Sequence, residues 1–330
     1  MINSQIEAQP EIKLNTSPIF IVGCDRSGTT LLRLMLNQSS VLYIPPETRF
    51  ITNLEKNKAV YGDFSQAYQR YFFIRDLQTN LATAKTYTFP VFDLTVEEAA
   101  EALASAFPTD FAGASQAIFQ AAARKKGKQR WGDKTPHQIE DINTLAGVFP
   151  DAKFVHIIRD GRDVALSMRK AGWLDGRMLT LAEYWQQKVT AGIDAGRSLE
   201  HSQDRYYEIT YENLLQFPES SLRSLCDWLN LEYTPKMLHY YRDNSSGLPK
   251  EHQDLFSLNQ KPLDASRAYA WKRKLSQGER ADFESVAGDL LQELGYELSQ
   301  AKISPGLKLF RWLKMRSKPW LYQLKNKYLT

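Results

Sequence analysis

One stretch near the start of this chain constrains its fold more than any other: Ile19-Phe20-Ile21-Val22-Gly23-Cys24-Asp25-Arg26-Ser27-Gly28-Thr29-Thr30-Leu31-Leu32. An apolar run ends in a short glycine-flanked loop, and an apolar helical pattern follows at once. Strand, tight loop and helix N-terminus together hold phosphate, because free backbone N–H groups and the positive end of the helix dipole converge on one anion. Gly23 and Gly28 have the spacing of the loop G-x-x-x-x-G-K-[ST], but Thr29 stands where that pattern has lysine. The cation comes earlier, at Arg26. That substitution points away from ATP hydrolysis and toward a different phosphate-bearing donor.

The rest of the chain alternates in the same way. Val41-Leu42-Tyr43-Ile44 reads as a second short strand, stopped by Pro45-Pro46, and Gln129 to Gly132 as a third. Lys153 to Ile158 and Tyr206 to Thr210 complete the set. Helical patterns lie near Asp160 to Lys170, Leu179 to Ser198, Pro218 to Asn230 and Gly278 to Leu294, with one from His137 to Val148. From about Ile51 to Arg124 the pattern is helical and rich in Ala, Gln and aromatics, an excursion from the sheet. Strands alternating with helices predict an α/β fold with a central parallel sheet covered on both faces.

In an open parallel sheet, ligands bind beyond the carboxyl ends of the strands. Arg26, Ser27, Thr29 and Thr30 follow the first strand; Glu47, Thr48 and Arg49 follow the second; Asp133 and Lys134 follow the third. Arg159, Asp160 and Arg162 follow the fourth, and Tyr211 and Glu212 the fifth. Each has a plainer reading. Arg159-Asp160-Gly161-Arg162-Asp163 could pair with itself while capping a helix, and Glu47 could pair with Arg49. Their coincidence at strand ends favours a shared anion site.

Composition narrows the setting. With 43% hydrophobic and 24% charged residues in 330, the chain suits a globular protein, and no apolar run approaches a membrane span. Residues 1–16 lack the apolar core of a signal peptide and read as a disordered lead-in. Of two cysteines, Cys24 lies inside the phosphate loop, where pairing would distort it, so a reducing, cytoplasmic setting is expected. From Leu298 to Thr330 there are eight basic residues and no acid, so the total of +4 leaves −4 for the remainder. General nucleic-acid affinity is therefore not expected.

Two motifs carry a family resemblance. Arg26-Ser27-Gly28-Thr29-Thr30-Leu31-Leu32 resembles the 5′-phosphosulfate loop of sulfotransferases that use 3′-phosphoadenosine 5′-phosphosulfate (PAPS). Phe154 through Arg159-Asp160-Gly161-Arg162-Asp163-Val164-Ala165-Leu166-Ser167-Met168 resembles that family's 3′-phosphate motif, which implies Arg159 and Ser167 as phosphate ligands. Glu47-Thr48-Arg49 and Asp133-Lys134 are similar to the segments holding the catalytic Glu and Lys of the tyrosylprotein sulfotransferase branch and its bacterial relatives. Tyr211-Glu212-Asn213-Leu214 resembles the segment whose Tyr contacts adenine, and Trp271-Lys272 the late basic element that closes over the donor. The resemblance spans roughly Pro18 to Glu297 and implies a P-loop-type three-layer fold: one domain over 17–297, with a helical insertion at about 51–128. That branch is lumenal and disulfide-bonded, so tyrosine as acceptor is not carried over.

The implied reaction is in-line sulfuryl transfer from PAPS to an acceptor hydroxyl, leaving the bisphosphate PAP. Glu47 is the expected general base, with His137 as the competing one, and Arg26 and Lys134 stabilise developing charge. Arg26, Ser27, Gly28, Thr29, Thr30, Arg159, Ser167, Tyr211 and Lys272 form the expected donor site. A sulfuryl group bears one charge less than a phosphoryl group, so no metal is required, and the five His residues are scattered. A phosphoryl-transfer P-loop enzyme, and a non-catalytic nucleotide-binding protein on the same fold, are the alternatives; activity insensitive to EDTA separates the first.

Two stretches stay open. Tyr61, Phe64, Tyr68, Tyr71, Phe72 and Phe73 either line an acceptor pocket or pack the core of the helical lobe. The basic, aromatic extension 298–330, from 305 onward above all, suits either an anionic membrane surface or the protein's own acidic body.

Overall fold

The computed structural model describes residues 17–83, 89–242 and 260–301. Five strands, β1 (Ile19–Val22), β2 (Leu42–Tyr43), β3 (Arg130–Lys134), β4 (Lys153–Ile158) and β5 (Tyr206–Thr210), form one parallel sheet in the order β2-β3-β1-β4-β5. The chain leaves β1 toward β2 and β3 on one side, then crosses to β4 and β5 on the other. The carboxyl end of β1 is therefore where the strand order reverses, which opens a crevice there.

Every residue of β1 is buried, because both sheet faces are covered. Period-two alternation sends Phe20 and Val22 to one face and Ile19 and Ile21 to the other. On the first face Phe20 stacks on Phe154 at 5.5 Å and meets the edge of Trp131. There it joins the insertion helices α2 (Phe50–Glu55), α3 (Ala67–Thr83), α4 (Val96–Ala106) and α5 (Phe111–Lys125), and α6 (Ile142–Val148). On the second face α1 (Thr29–Leu36) packs Leu31, Leu34 and Met35 against Ile21 and Ile157.

A third apolar cluster joins α7 (Gly161–Lys170) and α8 (Met178–Arg197) to the C-terminal helices. The chain between runs through α9 (Ser202–Arg205), α10 (Tyr211–Gln216) and α11 (Pro218–Leu229). It ends in α12 (Trp271–Lys274) and α13 (Gln277–Glu293), whose Ser276 and Glu279 form a reciprocal capping box. The sheet order and the two covered faces are those of the expected P-loop-type three-layer fold.

Three local expectations shift. The second strand shortens to Leu42–Tyr43, since Pro45-Pro46 and the side-chain bonds of Asn37 to Ile44 take over from ladder pairing. The third strand extends to Lys134, so Asp133 and Lys134 end β3 instead of following it. His137 to Val148 divides into a 3-10 turn, Pro136–Glu140, and α6. In the aromatic stretch Tyr61, Phe64 and Phe73 are core, whereas Tyr68, Tyr71 and Phe72 are exposed. Residues 1–16 and the basic segment 305–330 lie outside the described residues. No described helix is long and apolar enough to cross a membrane.

Candidate active site

The β1–α1 loop is shaped by two close approaches. A Cβ on Gly23 would stand 2.6 Å from the Ile157 carbonyl oxygen. Gly28 has φ 102°, and a Cβ there would stand 2.5 Å from Cδ2 of Tyr211. Gly28 is also the N-cap of α1 and supplies no side-chain acceptor. The first-turn N–H groups of α1 are thus left without a cap, the arrangement that receives an anion.

Arg26 and Arg159 meet at this loop. Arg26 Nε donates to Ser167 Oγ at 3.1 Å, and Arg159 Nη1 donates to the Arg26 carbonyl at 3.1 Å. Arg159 lies over the Tyr211 ring at 4.3 Å. The two expected phosphate cradles therefore adjoin, with Arg26, Gly28, Arg159, Ser167 and Tyr211 in one group. Thr29 is buried and Thr30 half-buried in the first turn of α1. Burial and the Arg159 charge lower the proton affinity of Arg26, with Asp25 opposing and Arg267 adding to the effect. Ser27 Oγ, Arg159 Nε and Tyr211 OH are buried and have no hydrogen-bond partner among the described residues.

Arg267 was not singled out by the sequence. It sits in a 3-10 turn, Ala265–Arg267, and its carbonyl accepts from Arg159 Nη2 at 3.4 Å. Among the described residues, Arg26, Arg159 and Arg267 form no ion pair with a carboxylate. The start of α12, three residues after the turn, is anchored by Asp163, which accepts from Ala270 N at 3.2 Å and from Trp271 N at 2.8 Å. Lys272, the expected closing cation, makes an exposed ion pair with Glu297 at 2.9 Å. The only available signal was a basic cluster from Arg267 to Lys274, which spacing alone could not resolve.

The Arg159–Asp163 charge cluster divides. Asp160 caps α7 by accepting from Arg162 N, and it holds the Arg162 guanidinium through Nε at 2.9 Å and Nη2 at 2.7 Å. Glu284 takes Nη1 at 2.7 Å, and the Trp271 ring lies 3.5 Å away. Arg162 is structural, and the self-pairing reading holds for it but not for Arg159.

Parallel pairing of β2 with β3 brings Glu47 to Lys134. Lys134 Nζ lies 3.4 Å from Glu47 Oε2, and Arg49 Nε lies 2.5 Å from Oε1. Glu47 and Lys134 are both buried. Burial works against the carboxylate, but Lys134 and then Arg49 outweigh it and hold the Glu47 pKa below its ordinary value. Burial lowers the Lys134 pKa, with Glu47 opposing. Asp133, pushed up to about 6 by burial, accepts from Thr48 Oγ1 at 3.1 Å and from Thr135 Oγ1, which fixes the segment carrying Glu47.

His137 joins the two halves. Its Nε2 lies 3.8 Å from Asp25 Oδ1 in the β1–α1 loop. Tyr184 OH donates to Asp25 Oδ2 at 2.6 Å. The Asp25–Tyr184 contact spans loop and α8, and no local sequence signal marks it.

An uncapped helix, guanidiniums without a carboxylate partner among the described residues and a buried Glu–Lys pair thus gather on the carboxyl edge of the parallel sheet of an α/β protein. The family is narrower. The model of the sulfotransferase family matches residues 18–235, and the chain belongs to that family. Its reaction class is sulfuryl transfer. The chain is 25% identical over 293 residues to a putative protein-tyrosine sulfotransferase of Caenorhabditis briggsae, covering 86% of this chain and 90% of that one. It is 32% identical over 126 residues to the omega-hydroxy-beta-dihydromenaquinone-9 sulfotransferase of Mycobacterium tuberculosis, covering 34% of this chain and 32% of that one. The sulfotransferase domain of the Synechococcus PCC 7002 olefin synthase superposes with a TM-score of 0.60 at 23% identity, over 88% of this chain and all of that one, which shows the fold.

Proposed function

We propose that the chain transfers a sulfuryl group from PAPS to an acceptor hydroxyl. The observation that carries this is the group of Arg26, Arg159 and Arg267, without a carboxylate partner among the described residues and gathered at the loop before the uncapped N-terminus of α1. The orphaned polar atoms of Ser27, Arg159 and Tyr211 fit a ligand rich in acceptor oxygens. PAPS, when bound, supplies an activated sulfuryl group on a phosphate leaving group. Arg26, Ser27, Gly28, Thr29 and Thr30 would hold its 5′ end, Arg159, Ser167 and Arg267 its 3′-phosphate, and Tyr211 its base. Arg suits these roles because its fork matches phosphate oxygens in pairs.

Glu47 would take the acceptor proton as the new S–O bond forms and the bond from sulfur to the phosphate oxygen breaks. Lys134 and Arg26 would stabilise the charge that moves onto that oxygen. Donor charge competing for Lys134 would loosen its hold on Glu47 and raise the basicity of the carboxylate. His137 is the second candidate base, favoured by its contact with Asp25. Relatives named for tyrosine and for a menaquinone derivative support a hydroxyl acceptor, and a cytoplasmic setting with the basic segment from 305 onward on an anionic membrane completes the proposal. Sedimentation of full-length protein with anionic vesicles, against protein ending at Glu297, tests that last element; equal pelleting removes it.

The central test separates binding from chemistry. Calorimetric titration with adenosine 3′,5′-bisphosphate should give saturable heat. Glu47→Gln should keep that affinity within about threefold while turnover falls about 100- to 10,000-fold, the range of a general base. Equal loss of both, or full activity in Glu47→Gln with loss in His137→Ala, would transfer the role to His137 or remove it.

A further inference from the structure

The crevice at the start of α1 has a counterpart at the other end of the helix. A cavity of about 500 Å³ opens there, with Arg33, Asn37, Lys126, Lys128, Glu232 and Lys236 in its lining. Ser40, shortly before β2, also lines it, and Lys128 comes shortly before β3. The cavity therefore lies at the amino edge of the parallel sheet, whereas Arg26 and Glu47 lie at the carboxyl edge. The eight residues of α1 separate the two by about 12 Å.

The lining is cationic. Among the described residues, Arg33, Lys126, Lys128 and Lys236 share it with one carboxylate, Glu232. A second acid reaches the group from outside the lining: Asp93 Oδ2 lies 2.7 Å from Lys126 Nζ. With both acids counted, four positive charges meet two negative ones. The carboxyl end of α1 also points here, and its dipole would repel an anion. Lys128 offsets it, since Nζ donates to the Asn37 carbonyl at 3.3 Å and to the Ser39 carbonyl. Arg33 is only 2% exposed, and its Nη1 donates to the Ile44 carbonyl at 3.4 Å. Burial raises the pKa of Tyr43, another lining residue, and the charges of Arg33 and Lys126 oppose the rise. Lys236 is exposed and forms no ion pair among the described residues.

We infer that this cavity is a second anion site, and that it takes a phosphate dianion, free or carried on a small molecule. The inference does not rest on the donor reading. Three observations converge. A concave wall with surplus positive charge concentrates counter-anions. A buried guanidinium held by the backbone presents a fixed fork, which matches phosphate oxygens. The volume falls in the range of small-molecule sites and leaves room beyond a single phosphate. Neutral polar groups at Ser40 and Thr234 line the remaining space.

The test reads position directly. Full-length protein is acylated with an N-hydroxysuccinimide ester, and the rate at each lysine is followed by mass spectrometry. Inorganic phosphate and glycerol 3-phosphate are the probes, and the one protecting at lower concentration identifies the source. Protection should be saturable at Lys126, Lys128 and Lys236 and absent at the exposed Lys58 and Lys170. Sodium chloride at equal ionic strength should not reproduce it. Lys236→Glu should weaken protection of Lys128 by at least about tenfold. Glu232→Gln, which removes the opposing charge, should tighten it about two- to fivefold. Equal protection by chloride, equal protection of Lys58, or unchanged affinity in Lys236→Glu would each overturn the inference, as would weaker binding in Glu232→Gln. Titration of the same variants with adenosine 3′,5′-bisphosphate reads the donor crevice separately, so either site can fail without the other.

Discussion

Two strand-to-helix junctions in this molecule carry arginines, and they handle charge in opposite ways. At β1–α1 the cap is Gly28, the helix N-terminus has no side-chain cap, and Arg26 meets no carboxylate within ion-pair distance among the described residues. At β4–α7 the cap is Asp160, which spends the helix N-terminus internally and locks Arg162 against Glu284 and Trp271. What the second junction offers outward is only Arg159 and, two turns along, Ser167. An anion site is thus defined by the positive charge that folding leaves uncompensated, and arginine count says little about it. A buried, fully paired guanidinium contributes to the architecture, and the proposed donor site draws on those without a carboxylate partner among the described residues.

The largest effect that would break this contrast is on stability. Arg162→Ala leaves Asp160 and Glu284 buried without their cation and should cost about 3–5 kcal/mol in urea unfolding. The folded fraction should still bind the bisphosphate. Loss of binding without loss of stability would place Arg162 among the ligands instead.

The end of β3 sharpens the same point with an acid. Burial pushes the Asp133 pKa from 3.8 to about 6, despite the hydrogen bonds from Thr48 and Thr135. The folded state therefore holds this proton more tightly than the unfolded one. Stability from this group is fully present below about pH 4 and is lost as pH rises through about 6, a loss of roughly 3 kcal/mol by pH 7 at about 1.4 kcal/mol per unit. Asp133→Asn, which keeps an acceptor for Thr48, should gain on the wild type in urea titrations as pH rises from 4 to 7. Parallel pH curves would refute the buried-acid account.

Gly28→Ala probes the first junction. It imposes a left-handed residue and a 2.5 Å approach to Tyr211. The expected cost is about 1–2 kcal/mol from the backbone and about 1–3 kcal/mol from overpacking. Gly127→Ala is the control, with φ 68° but nothing within 4 Å, and should show the backbone part alone. Equal effects would mean that the Tyr211 contact does not matter.

Arg159→Ala should leave the unfolding midpoint nearly unchanged and weaken bisphosphate binding about 10- to 100-fold, the value of a hydrogen bond to a charged group. The smallest effect separates two neighbours. Lys272→Ala, which removes an exposed pair, should change bisphosphate affinity by less than about threefold, whereas Arg267→Ala should cost on the order of tenfold. The reverse order would return the closing role to Lys272.

Much of the architecture was legible because its signals are local. The run Ile19–Val22 and the helix Thr29–Leu36 are where the apolar pattern puts them, and β4 and β5 match their predicted ranges. Hydrophobic period and the Gly23–Gly28 spacing involve only near neighbours, so the chain itself carries them. β2 was read too long because its edge pairing depends on Asn37, a contact no periodicity reports. The bringing together of Glu47 with Lys134, and of Arg26 with Arg159, was expected from strand ends, whereas Ser167, inside α7, was expected only from the family resemblance. Arg267 and the Asp25–His137–Tyr184 contacts were not expected, because they join segments distant in the chain.

The sequence by itself determined a parallel sheet, a phosphate-type loop and the residue types gathered at its rim, since these follow from backbone preference and side-chain chemistry. Only the tertiary structure decided which of the cations are spent. Arg162 and Lys272 find carboxylates on α13 and at Glu297, while Arg26, Arg159 and Arg267 find none among the described residues. Pairing is a property of distance in space, and residues such as Arg159 and Arg162, three apart in the chain, can be assigned opposite roles only once the fold has brought Glu284 to one of them.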